Sequence, residues 1–99
     1  MRVYVSSLSP AITSQILAYA EYRLFAVLAR YADVRSAQVV LQEDAVGLRC
    51  SVQIDFDSTA SARTQAKGPH AAGTIDRAAE RVVLLMRRRF QPEIAAASN

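Results

Sequence analysis

Ninety-nine residues, 52% hydrophobic and 21% charged, make a chain of single-domain size that can build a core without disulfide or metal staples. Twelve Lys and Arg against nine Asp and Glu leave a net charge of +3, which permits contact with nucleic acid without demanding it. A lone cysteine excludes an intramolecular disulfide, a lone histidine excludes a histidine metal cluster, and no apolar run approaches the roughly 20 residues of a membrane span.

Arg2 to Ser6 alternates polar and apolar residues, with Val3 and Val5 on one face, and predicts a first strand. Ser9-Pro10 has the chemistry of an N-cap followed by a first helical residue, and predicts a helix running from Pro10 to about Tyr31. Leu17, Ala20, Leu24, Val27, Leu28 and Tyr31 share one arc of that helix, which is its core face. Ala18, Tyr22, Phe25 and Ala29 form a second apolar stripe, with Tyr19, Arg23, Ala26 and Arg30 beside it. A helix apolar on two sides packs on two neighbours, here the last helix, or offers one face to a dimer partner or ligand.

Asp33 to Arg35 reads as a turn, and Ala37 to Gln42 as a second strand with Ala37, Val39 and Leu41 inward. Glu43 to Gly47 is a hairpin connection. Leu48 to Phe56 alternates without a break: Leu48, Cys50, Val52, Ile54 and Phe56 point one way and Arg49, Ser51, Gln53 and Asp55 the other. Cys50 is thereby a core residue. Thr59 to Lys67 predicts a fourth strand with Ala60, Ala62, Thr64 and Ala66 inward, small enough to let a helix approach closely.

Gly68-Pro69 marks the start of a last helix reaching Phe90, with Pro69 as its first residue. Ile75, Ala78, Ala79, Val82, Leu85 and Met86 fall within one arc that can cover a sheet. Arg77, Arg81 and Arg88 lie together on the flank, while Arg87, Arg88 and Arg89 place positive charge in the last turn, where it complements the helix dipole. The flank is either a solvated helix surface or a phosphate-facing one. Eleven of the twelve basic residues are Arg, a side chain suited to bidentate phosphate contact, although a GC-rich genome produces the same skew. Residues 1 to 90 are expected to form one domain, and Gln91 to Asn99 a frayed tail.

The predicted order is β-α-β-β-β-α, an α+β domain whose four-stranded sheet carries both helices on one face. The other face would be open and polar, showing Arg2, Tyr4, Gln38, Gln53, Arg63 and Lys67. His70 lies in the loop before the last helix, Gly68 and Gly73 lack the Lys-Ser/Thr of a phosphate loop, and the acidic residues are scattered over different elements. The residues point to no enzyme, no metal, no cofactor and no small-molecule substrate. With no signal-peptide core at the N-terminus, a cytoplasmic protein is expected.

Four stretches carry a further signal: Ser-Pro-Ala-Ile-Thr opening the first helix, AEYRLFAVLARYADVRSAQVVL at residues 20–41, the pair LRCSVQIDF and TASARTQAK, and GPHAAGTIDRAAERV leading into the last helix. Together they resemble the ribosome hibernation-promoting factor family, also known as the ribosome-associated inhibitor or sigma-54 modulation protein family, in its short form and in divergent guise. The resemblance implies a β-α-β-β-β-α domain similar to a double-stranded-RNA-binding domain. It further implies binding to the small ribosomal subunit, in the channel used by mRNA and tRNA, and a block on translation in starved or cold cells. Family members bind rRNA phosphates through basic side chains, and Arg81 and Arg88 fall where the family has such residues. Leu84 stands where the family tends to have another basic residue, and His70-Ala71-Ala72 where it often has Asp-Met-Tyr. The expected RNA-binding set is Arg77, Arg81, Arg88 and Arg87, joined by Arg63 and Lys67. The alternative is a divergent paralogue that serves as a protein-interaction or dimerisation module through Tyr22, Phe25 and Ala29.

Overall fold

A computed structural model describes residues 1–90, so the tail expected from Gln91 to Asn99 lies outside the described residues. The elements are β1 (Arg2–Ser7), α1 (Ser14–Leu28), β2 (Val34–Asp44), β3 (Gly47–Phe56), β4 (Ser61–Gly68) and α2 (Ala71–Phe90). The four strands form one mixed sheet in chain order, with β1 parallel to β2 and both later pairings antiparallel. Alternation in β3 decides which face is buried. Leu48, Cys50, Val52, Ile54 and Phe56 are all buried, together with Ala37, Val39 and Leu41 of β2. Ala20, Leu24, Val27 and Leu28 of α1 and Ile75, Ala78, Ala79, Val82 and Met86 of α2 cover them, so both helices lie on one face, as the periodicities predict.

Several boundaries differ from the sequence expectation, each for a local reason. α1 starts at Ser14, because Thr13 takes the N-cap and its side chain accepts a hydrogen bond from the Ile16 N–H at 3.3 Å. The Ser9 hydroxyl is used elsewhere: it accepts from the Glu43 N–H at 3.1 Å and ties the β1–α1 connection to the end of β2. Ser9-Pro10 instead opens a turn closed by the Ile12 N–H on the Ser9 carbonyl at 3.2 Å. The helix ends at Leu28 rather than near Tyr31. β2 begins at Val34, where a turn was expected, because the register slips between Val34 and Ser36 and leaves Arg35 as a bulge. β2 and β3 meet in a tight hairpin around Ala45-Val46, with Asp44 paired to Gly47.

β4 begins at Ser61 rather than Thr59, because the Phe56 N–H bonds the Ala60 carbonyl and closes the turn before it. Ala60 is accordingly exposed and outside the strand, and Ala66 is the fully buried alanine of β4. Gly68 pairs with Leu48 as the last residue of β4, which moves the start of α2 from Pro69 to Ala71. The His70 carbonyl then accepts from both the Thr74 N–H (3.0 Å) and the Thr74 hydroxyl (2.7 Å). Gly47 has φ of +143°, and a Cβ there would run into the Gly68 carbonyl and lie 2.7 Å from Pro69 Cα. The β2–β3 hairpin and the β4–α2 connection therefore touch backbone to backbone, and only glycine fits between them.

The two helices are clipped to each other by a polar group that the sequence pattern left unassigned. Tyr19 of α1 donates its hydroxyl to Asp76 Oδ1 of α2 at 2.6 Å, and Arg23 Nε donates to the same oxygen at 2.9 Å. The Tyr19 hydrogen bond, with help from Arg23, holds the Asp76 carboxyl below its ordinary value of 3.8. The same bond, followed by burial, raises Tyr19 above its ordinary value of 10.0. A depressed carboxyl contributes stability above its unfolded pKa and loses it as pH falls; a raised phenol contributes below its unfolded pKa and loses it as pH rises. Thermal melts of wild type, Asp76→Asn and Tyr19→Phe are therefore expected to differ most between about pH 5 and pH 9. The gap to Asp76→Asn should close toward pH 2, and the gap to Tyr19→Phe above pH 10.

Candidate nucleic-acid interface

Strand β4 is an edge of the sheet, and an edge presents unpaired backbone carbonyls. α2 lies along it and meets those carbonyls with arginines. Arg77 Nη1 donates to the Lys67 carbonyl at 3.0 Å, and Arg81 Nη1 donates to the Gln65 carbonyl. The spacings match: four helical residues advance about 6 Å and two strand residues about 6.6 Å, so arginines at i and i+4 reach alternate carbonyls of the strand. Both arginines are exposed and use one of five N–H donors in these bonds, which leaves most of each guanidinium facing outward.

The next rung of this ladder is apolar. Leu84 and Leu85 stand beside Arg63 and Thr64, and Arg88 follows one turn later. Arg63, Arg81 and Arg88 thereby surround a shallow hollow of about 340 Å³ with the half-exposed Leu84 in it, and no acidic side chain lines it. Among the described residues neither the Arg63 nor the Arg88 side chain has a hydrogen bond or ion pair to the protein. Converging guanidinium groups with free donors and no counter-charge suit an anion with several oxygens, such as an RNA phosphate.

The six residues expected from sequence are not all placed together. Arg63, Arg81 and Arg88 share the hollow, and Arg77 continues the line toward the start of α2. Lys67 offers its carbonyl to Arg77 while its side chain, next to Arg49 in the β3–β4 register, belongs to the open face of the sheet. Arg87 is about 100° round the helix from Arg88 and off the seam. Arg89 serves the fold: its guanidinium lies over the Phe56 ring at 3.7 Å from the centroid and pairs with Asp33 at 3.6 Å.

No family model matches the chain, and no curated protein matches it in sequence. Solved structures do match. A ribosomal subunit interface protein from Coxiella burnetii superposes with a TM-score of 0.79 over 90% of this chain and 97% of that one, at 9% identity. The N-terminal domain of Protein Y from Thermus thermophilus superposes with a TM-score of 0.70 over 88% of this chain and 93% of that domain, at 26% identity. The fold is that of the ribosome hibernation-promoting factors.

On this hibernation-factor fold the second apolar stripe of α1 stays uncovered. Tyr22 is 69% exposed and Phe25 48% exposed, and both line a shallow hollow with Ala18, Glu21 and Ala26. α2 meets α1 through Tyr19 and Arg23 instead, which overturns the expectation that the stripe packs on the last helix. Ala29, the C-cap of α1, is also exposed. Cys50 is buried, and burial pushes its thiol up to about 12, so it stays protonated and unreactive at neutral pH. Among the described residues no group of His, Cys, Asp and Glu is arranged to hold a metal ion, and no helix is long and apolar enough to cross a membrane.

Proposed function

We propose that this protein is a ribosome-associated translation regulator of the hibernation-promoting type, acting in the cytoplasm. It binds the small subunit through rRNA phosphates held along the α2–β4 seam. The observation that carries this reading is the convergence of Arg63, Arg81 and Arg88 on one hollow, on a fold shared with a ribosomal subunit interface protein and with Protein Y. Binding of this kind needs position and charge rather than catalysis. The backbone bonds of Arg77 and Arg81 hold those guanidinium groups in place before RNA arrives, which lowers the ordering cost of binding.

Sedimentation with purified small subunits through a sucrose cushion tests the assignment. If four arginines each displace a counterion, the logarithm of the binding constant should fall with the logarithm of salt with a slope of about −3 to −4. Protein that stays in the supernatant at low salt, or pelleting that ignores salt, would overturn the reading.

A second reading has its own observation in the exposed Tyr22 and Phe25. A protein-interaction or dimerisation module without ribosome binding would use them. It predicts that Phe25→Glu turns a dimer into a monomer with an unchanged melting temperature, and a wild type monomeric in sedimentation equilibrium at high concentration removes it.

A further inference from the structure

The face of the sheet opposite the helices is covered by nothing among the described residues, and its side chains fall into ordered rows. Tyr4, Gln38, Gln53 and Arg63 are successive cross-strand neighbours from β1 to β4. Ser6, Val40, Ser51 and Gln65 form the adjoining row. With strands about 4.8 Å apart, Tyr4 and Arg63 stand about 14 Å from each other, at opposite edges. A shallow hollow of about 480 Å³ lies on this face, lined by Gln38, Val40, Ser51, Gln53, Arg63 and Gln65.

The charges on this face are asymmetric in availability. Asp55 accepts from Ser36 Oγ at 3.5 Å and from Gln53 Nε2 at 3.2 Å, and Asp44 is paired with Arg49 at 3.9 Å. Arg2, Arg63 and Lys67 have no acidic partner among the described residues. Tyr4 is 53% exposed although it sits inside a strand. Arg63 also lines the arginine hollow on the helix side, so it joins the two surfaces round the free edge of β4.

We propose that this open face is a binding site for single-stranded RNA. A base stacks on Tyr4, the amides of Gln38 and Gln53 meet neighbouring base edges, and the phosphates follow Arg63 round β4 toward α2. An unstacked strand suits this surface because an aromatic face, the Gln38 amide, and the carbonyl and second N–H that Gln53 keeps beside its bond to Asp55 engage bases, which a duplex keeps inside its stack. Cationic side chains without partners complement the phosphates, and Arg2, Arg63 and Lys67 outnumber Asp55, whose carboxylate on this face has no basic partner among the described residues. The choice of RNA rests on the ribosomal reading above; the stacking surface itself does not.

The test is fluorescence anisotropy with a labelled 12-nucleotide oligouridylate at low salt, beside a duplex RNA of equal length. Tyr4→Ala should weaken binding of the single strand by about tenfold, within the range of base–aromatic stacking, and Tyr4→Phe should restore it. Amide signals of Gln38 and Gln53 should shift on titration of the wild type in NMR spectra. Equal affinity of wild type and Tyr4→Ala for the strand, no binding of it by the wild type, or preference for the duplex overturns the proposal. Small-subunit sedimentation of the wild type separates the two readings. Salt-sensitive pelleting without Tyr4-dependent strand binding removes only this site, and Tyr4-dependent strand binding without pelleting removes only the ribosomal assignment.

Discussion

Reversing Arg63 and Arg88 together to Glu is expected to abolish co-sedimentation with small subunits at near-physiological salt while leaving the melting temperature close to that of wild type. Neither side chain has a hydrogen bond or ion pair to the protein among the described residues, so the substitution removes no polar contact of the fold. It does place two carboxylates where two guanidinium groups faced a common hollow. The loss of two phosphate contacts should flatten the salt slope by about 2, and with added repulsion the affinity should fall on the order of a hundredfold. Arg81 is a less clean choice, because Arg81→Glu also uncaps the Gln65 carbonyl at the sheet edge and turns an attraction into a repulsion there. Arg87→Glu supplies the control: it changes charge equally per site but lies off the seam. If Arg87→Glu alone weakened binding as much as the Arg63 and Arg88 pair, the seam would not be the interface.

How legible this was in the sequence depends on whether a signal was local. β3 could be read residue by residue, because its alternation has no break and its inward set is the buried set. The arc of α2 and the flank of Arg77, Arg81 and Arg88 follow from 3.6-residue periodicity alone. Helix starts were misplaced where two local signals competed. Ser9-Pro10 and Thr13 both have cap chemistry, and the bond from Glu43, 34 residues away, is what removes Ser9 from the contest. Gly68-Pro69 likewise looked like the start of α2, yet Gly68 is held by the ladder to Leu48. The site has the same division. The arginine spacing was visible, but the backbone bonds of Arg77 and Arg81, the placing of Lys67 on the open face and the two-sided position of Arg63 depend on how β4 meets α2. The sequence assigns Arg89 only to the helix dipole and Asp76 to nothing, because their partners, Phe56, Asp33, Tyr19 and Arg23, lie on other elements.

Phe56→Ala is expected to destabilise the fold more than any substitution on the seam. Phe56 ends β3, is fully buried, and pairs with Val34 beside the β2 bulge. Truncating a buried phenylalanine costs about 3–5 kcal/mol, a large share of the roughly 5–15 kcal/mol that holds a domain folded. At this size the loss corresponds to a fall in melting temperature on the order of 20 °C, readable by circular dichroism. The ring has a second task, since the Arg89 guanidinium lies over it and bridges to Asp33. That contact pins the last turn of α2, and Arg88 is the adjacent residue. A half-exposed cation–π contact contributes about 0.5–1 kcal/mol, so Arg89→Ala should cost little stability by itself. In a double-mutant cycle, Arg89→Ala should cost less in the Phe56→Leu background than in wild type, because a leucine offers no ring face. Strict additivity of the two changes would mean that Arg89 is held by Asp33 alone. Coupling between them would make Phe56 the residue through which the core sets the direction in which the end of the arginine seam points.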